Sequence, residues 1–455
     1  DGVYRRTFDT GEMRVAGSLA WTDFTGKSNL QGHVDTDARF RLDGLDRGAV
    51  WGWDVRFASD DDYLRFFDFS SEDRLTSEVY VRNYWRDGFY DLAGLYFQSL
   101  RNREPAGPIP RVLPEFRART AIEEPLLGGE IGLFADTQSL YRNVGTDVTR
   151  LSLGADWEEE VILPMGLALR GFAEVRGDLF LTFEDEGSGD DDTTFRLAPL
   201  AGVEARYPLI WTMESGSAHV VEPVAQVIVA PYGGNDVPNE DSQQTEFDET
   251  NLFATNRFSG LDGVEEGPRV NLGLSYELVG AGGLGLDATV GRVLRFAEAD
   301  EFDPGAGLNG LRSDWVGAWR ASWRGIVSVR QRLRIDDDLE VNRNEVFARA
   351  NYGPASAGVG YVFLDESPLS GSLDDREEIT AFGGLQVTPE WGVSGFLQRD
   401  LEAKEFVEVG GQLSYANECC AIDLFLKRRF TDSDNLAAST SIGVEVQLLT
   451  LGNAV

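Results

Sequence analysis

Apolar and polar residues alternate along most of this chain. In KEFVEVGGQLSY, Val407, Val409, Leu413 and Tyr415 share one face, and Glu408, Gln412 and Ser414 the other. GLALRGFAEVR sets Leu167, Leu169, Ala173 and Val175 against Arg170, Glu174 and Arg176. SIGVEVQLL sets Ile442, Val444, Val446 and Leu448 against Glu445 and Gln447. A period of two sends successive side chains to opposite sides of a strand, so charge on one side only means a sheet with one wet face. No amphipathic helical period competes with it. Cutting at clusters of Gly, Pro, Asn and Asp gives about 23 strands of about ten residues, too many for a sandwich and the length of a tilted membrane strand.

The connections between these strands alternate tight and long. The tight set includes DTGE, RDG, LPMG, GAGG, TPEW and ANECC; the long set includes Ser59 to Asp73, Glu184 to Thr194, Gly233 to Pro268, Ala297 to Asp314 and Asp365 to Arg376. Short turns on one rim and long loops on the other is the pattern of an outer-membrane barrel, with the long loops outside. A soluble sandwich has no reason to sort its loops by parity. The fold class expected is therefore all-β, a large antiparallel transmembrane β-barrel.

Composition narrows the function. The formal charge of −36 excludes nucleic-acid binding, which needs a cationic surface. Hydrophobic residues make up 42%, but no run approaches the length of a membrane-spanning helix, a test that a barrel of short alternating strands does not need to pass. The 51 glycines and ten tryptophans suit many strands joined by tight turns. The chain opens on DGVYRRTFDTGEM, already strand-like and without an initiating Met, and is expected to be a piece of a longer protein.

The long set also collects acid: Asp60–Asp62, Asp190–Asp192, Asp336–Asp338, EADEFD and TDSDN. Solvated loops favour Asp for its turn chemistry. The sharper reading is a rim that bridges anionic lipid headgroups through divalent cations, using hard carboxylate oxygens. No spacing defines a calcium loop, so no metal ligand is named and no cofactor is assigned.

The two cysteines, Cys419 and Cys420, are neighbours within ANECC. A bond between them is geometrically poor, because adjacent Cα atoms lie about 3.8 Å apart and disulfides prefer about 5.5–6 Å. They are either quiet thiols or each has a partner outside this sequence. Loop parity puts them on the tight, periplasmic rim, where disulfides form.

Catalytic motifs are scarce. GAGGLG, Gly280 to Gly285, fits a dinucleotide fingerprint only formally, because a strand follows instead of a helix; a hairpin turn is the expectation. The only histidines, His33 and His219, are far apart in strand-like segments, and no nucleophile elbow, P-loop or zinc-protease motif occurs. No enzymatic activity is expected.

Three stretches resemble LptD, the outer-membrane lipopolysaccharide-assembly family. They are NECCAIDLFLKRRF; VEPVAQVIVAPY followed by NLFATNRFSGLDGVEEGPRVNLGLSYEL; and DDDYLRFFDFSSEDRLTSEVYV with PRVLPEF downstream. The resemblance implies that residues 1–455 are the barrel domain of a family whose barrel has about 26 strands, with an N-terminal periplasmic jellyroll and the first few strands lying outside this sequence. It implies a function, the delivery of lipopolysaccharide to the outer leaflet through the lumen and a lateral gate between the first and last strands. It implies partners too: the lipoprotein LptE as a plug in the lumen and the periplasmic bridge protein LptA. By the same resemblance Cys419 and Cys420 bond to upstream cysteines. The last strand, with Ile442, Val444, Val446 and Leu448, forms one side of the gate. The stretch NRFSGLD (Asn256, Arg257, Phe258, Ser259, Gly260, Leu261, Asp262) is expected to be an ordered part of its extracellular loop, anchored by Phe258 and Leu261. The competing readings are a porin or plugged nutrient receptor, and a secreted β-rich carbohydrate-active enzyme.

Overall fold

The computed structural model describes residues 1–448 except 23–28, 43, 45–47, 68, 71, 102–103, 124–127, 184–190, 300, 366–374 and 432–437. Its strands, from Gly2–Phe8 to Ser439–Leu448, form one antiparallel sheet of 25 segments in which each pass pairs with the next along the chain. Two passes are interrupted. Asp192–Arg206 and Leu209–Thr212 both pair with Ala218–Val229, and the break falls at Pro208, which has no N–H to give to a ladder. Gly310–Arg312 and Trp315–Trp323 both pair with Leu284–Ala299. Counting each interrupted pass once leaves 23, the number expected from the alternation. Among the described residues helix is confined to a turn at Tyr63–Phe66 and a 3-10 turn at Pro304–Ala306.

The sheet does not close. Among the described residues Gly2–Phe8 pairs only with Gly11–Thr22, and Ser439–Leu448 only with Cys420–Arg429.

Loop parity holds for most of the chain, although 142–146 and 401–404 are short turns on the long-loop rim. Connections 9–10, 86–87, 163–167, 213–217, 280–283, 324–326, 353–354, 387–390 and 417–419 share one rim, and 59–73, 100–110, 230–268 and 300–309 the other. The glycine-rich stretch is a hairpin turn, with Gly282 and Gly283 at φ 76° and 83°, a left-handed conformation that glycine adopts freely. One long-set triplet sits in a short turn instead. Asp336–Asp338 lies in the connection 336–340, where Asp336 Oδ1 accepts from the backbone N–H groups of Asp338 at 2.9 Å and Glu340 at 2.8 Å and closes the loop on itself. Asp190, residues 184–190 and 366–374 of the expected long loops, and most of TDSDN lie outside the described residues.

The two faces of the sheet differ as the alternation requires. On one, large apolar side chains stand in the open: Leu197, Val203, Leu424 and Leu426 are all exposed. On the other, polar groups pair, as in Arg82 with Asp91 at 3.3 Å, Lys427 with Glu408 at 3.2 Å and Gln412 with Asp423 at 2.8 Å. An apolar outside and a paired, polar inside invert a soluble protein and match a barrel wall facing lipid. No described helix is long and apolar enough to cross a membrane.

Candidate functional site: a loop docked on the inner wall

Two of the largest fully buried side chains, Phe247 and Leu252, belong to the connection 230–268, between strands Ala218–Val229 and Arg269–Val279. It turns back against the inner face and meets strands that lie far apart in sequence. Phe247 and Leu252 from the loop pack with Val293, Phe302, Leu308 and Val316 into one apolar cluster. Phe258 stacks on Phe302 with ring centroids 4.8 Å apart.

Charge does the rest of the anchoring. Arg257 gives Glu265 two hydrogen bonds, at 2.6 and 2.7 Å, and the same carboxylate takes Arg295 at 2.6 Å and Arg269 at 3.1 Å. Burial alone would raise the Glu265 carboxyl, but Arg257, Arg269 and Arg295 outweigh it and hold it below the ordinary carboxylate range. A second knot centres on Arg150 of strand Asp147–Ile162. It binds Asp262, Asp241 at 2.7 Å and Asp136 at 3.0 Å. Burial again opposes ionisation of Asp241, yet Arg150 and hydrogen bonds from Asp262 N–H and Ser242 carry it down to about 2. Arg176 and Arg196 share the buried Asp178, and both donate to the carbonyl of Leu261, at 2.9 and 2.6 Å.

Within Asn256–Asp262 every residue therefore has a defined setting. Asn256 donates to Gly263 O at 3.0 Å and accepts from Glu265 N at 3.1 Å. Ser259 donates to Asp241 O at 2.8 Å. Gly260 lies so close to the Asp241 carboxylate that a Cβ would overlap it. The buried members are Arg257 and Asp262, whereas Phe258 and Leu261, the anchors expected from the sequence, are only half-buried. Ion pairs therefore share the anchoring with the apolar cluster that Phe258 packs against. Sequence reasoning missed Glu265, Asp241, Arg150, Arg176, Arg196 and Arg295; their one signal is the density of Arg at inner-face positions of consecutive strands.

The cysteines lie elsewhere, on the tight rim. Cys419 is exposed in the turn and Cys420 opens strand Cys420–Arg429; both are free thiols. Asn417 Oδ1 accepts from both backbone N–H groups at 2.9 Å. Cys420 stands opposite Leu448 of the last strand, where Ile442, Val444 and Val446 are exposed. Leu449 lies outside the described residues. The inserted loop and the cysteine turn thus occupy opposite rims, and no group of three or more His, Cys, Asp or Glu among the described residues is placed to hold a metal ion.

A family model described as LPS transport system D, LptD, matches residues 29–391, which include the whole inserted loop and end before the cysteines. The chain belongs to the LptD family. It is 24% identical over 425 residues to the LPS-assembly protein LptD of Nitrosococcus oceani, covering 88% of this chain and 55% of that protein. Against the LptD proteins of Nitrosomonas eutropha and Alkalilimnicola ehrlichii the identities are 23% and 24%, covering 88% and 90% of this chain and 57% and 56% of theirs. The chain spans about half the length of the curated LptD relatives it matches. Among solved structures it is similar to the ferric enterobactin receptor of Pseudomonas aeruginosa, at 10% identity and a TM-score of 0.37 over 96% of this chain and 73% of that one.

Proposed function

We propose that this chain forms the barrel wall of a lipopolysaccharide-assembly protein in the outer membrane of a Gram-negative bacterium. The observation that carries the reading is the family match over a two-sided wall, apolar outside and polar inside. A lipid with a large sugar headgroup needs a wet route for the sugar and an apolar one for its acyl chains. A wide lumen supplies the first, and a seam between the first and last strands supplies the second. No covalent bond changes in such a transfer, so it calls for no catalytic group. The finer assignments belong to the same proposal: LptE in the lumen, LptA delivering cargo to an N-terminal domain, and Cys419 and Cys420 tethering the barrel to that domain.

The test is depletion of the full-length protein in its own cells, followed by labelling of lipopolysaccharide with a reagent confined to the cell surface. Newly made lipopolysaccharide should stay unlabelled until the protein is resupplied. Undiminished surface labelling during depletion rejects the proposal.

A further inference from the structure

Beyond the docked loop the inner wall changes character. Strands Trp315–Trp323, Val327–Ile335 and Val341–Tyr352 border a cavity of about 690 Å³, and Arg320, Arg330, Arg332 and Arg349 line it. The register makes them near neighbours: Arg320 is the Cα partner of Arg330, and Arg330 of Phe347. Arg332 is neutralised by Glu249 at 2.9 Å. Glu345, the nearby acid, is taken by Arg343 at 2.5 Å. Asp287 stands opposite Arg320 in register, yet no ion pair joins them.

Arg320, Arg330 and Arg349 therefore face the lumen exposed and without a carboxylate partner among the described residues. Three carboxylates, Glu249, Asp287 and Glu345, also line the cavity, and none of them pairs with these three arginines; the chain as a whole has 77 acidic residues against 41 basic ones. Of those 41, 38 are Arg, whose planar fork matches the oxygens of phosphate and carboxylate two at a time.

Aromatic rings adjoin the arginines. Phe347 carries the Arg330 guanidinium over its ring at 5.0 Å and stacks towards Phe382, with centroids 6.2 Å apart. The rings of Phe382 and Phe396 overlie Gly358 and Gly410, where a Cβ would strike them. A ring lying flat over a glycine turns its face towards the lumen, and the C–H face of a pyranose packs on such a surface.

We propose that this wall is a subsite for the anionic sugars of the transported glycolipid, with the three arginines taking phosphate or carboxylate oxygens and the phenylalanines taking sugar rings. The inference rests on the lipopolysaccharide-assembly reading above.

The experiment uses the full-length protein with its native partners in detergent. The probe is a radiolabelled, lipid-free phosphorylated core oligosaccharide, offered also after phosphatase treatment and after carboxyl reduction. Replacing Arg320, Arg330 and Arg349 together by Gln should weaken binding about ten-fold or more, and inorganic phosphate should compete. Loss of binding after phosphatase identifies phosphate as the group recognised, and loss only after carboxyl reduction identifies the sugar acids. Equal binding by parent and Gln variant overturns the site, as does a photo-crosslinker at Ser328 that captures an acidic protein segment and no sugar. Heat-modifiable gel mobility checks the fold. If the Gln variant fails that check, the triple Lys variant decides, since it keeps the charge and loses the fork: binding several-fold weaker supports the site, and unchanged binding overturns it. Failure of the site leaves surface delivery in the depletion experiment intact, whereas failure of the assembly reading abolishes that effect.

Discussion

Glu265 and Arg257 meet at 2.6 Å with no solvent on either side chain. Eight residues apart in one loop, they close the segment that carries Phe258 and Asp262, while Arg295 fastens the same carboxylate to strand Leu284–Ala299. Removing one partner of such a pair strands a buried charge. Glu265→Ala leaves Arg257, Arg269 and Arg295 without their shared anion and should cost about 3–5 kcal/mol of loop docking. Limited proteolysis of the folded protein should then cut within 230–268, where the parent resists. Equal resistance would mean the ion pairs are incidental to docking.

Acid should release the same loop. The carboxyls of Glu265 and Asp241 are held below their ordinary values, the latter at about 2. A group depressed on folding stabilises fully above its unfolded value, near about 4 for these acids, and the contribution is lost as pH falls through the folded value. Pepsin cleavage of 230–268 should stay low at pH 5 and rise steadily between about pH 4 and 2. Glu265→Gln, which has no charge to lose at that position, should show a shallower rise.

The two faces should respond oppositely to the same substitution. Leu424→Arg puts a cation on the apolar side near mid-strand, where it should cost about 2–4 kcal/mol of stability in a bilayer. Ser414→Arg puts it on the inner side opposite Asp423 and should be close to neutral. Urea unfolding in phospholipid vesicles separates them, and equal penalties would contradict the assignment of faces.

The cysteine turn makes a prediction about connectivity. In this chain alone both thiols should alkylate with a maleimide before denaturation, Cys419 faster because it is the more exposed. In the full-length protein each should be bonded to a different upstream cysteine. Cys419→Ser and Cys420→Ser singly should keep an oxidised tether on non-reducing gels, and the double variant should lose it. A double variant that migrates and assembles like the parent would remove the tether from the mechanism.

The strands were legible because burial on one face forces a period of two, and loop parity was legible because the two rims carry loops of different length. Val407, Val409 and Leu413 against Glu408 and Gln412 is enough to set a strand and its sidedness. The docking of 230–268 was not legible. Its partners Asp136, Arg150, Asp178, Arg196 and Arg295 are spread over five strands, and each alone looks like an ordinary wet position of a lumen wall. Nothing local distinguishes an arginine facing water from one facing a loop folded back onto it. For the same reason Phe258, which packs on Phe302, was legible as an anchor of NRFSGLD, whereas the ion pairs of Arg257 and Asp262 were not.

The docked loop also divides the wall mechanically. Buried side chains are frequent up to Val316, but among the described residues from 317 to 448 only Gly392 is buried. One flank is braced by close-packed side chains and resists bending. The other is held by backbone ladders and paired surface groups, the kind of region that opens at low free energy. The wall thus has a braced flank and a pliant one, and the pliant flank ends at Ser439–Leu448. Of the two strands that pair on one side only among the described residues, Ser439–Leu448 ends the compliant flank and Gly2–Phe8 the braced one, so any widening of the sheet should be taken up next to the last strand.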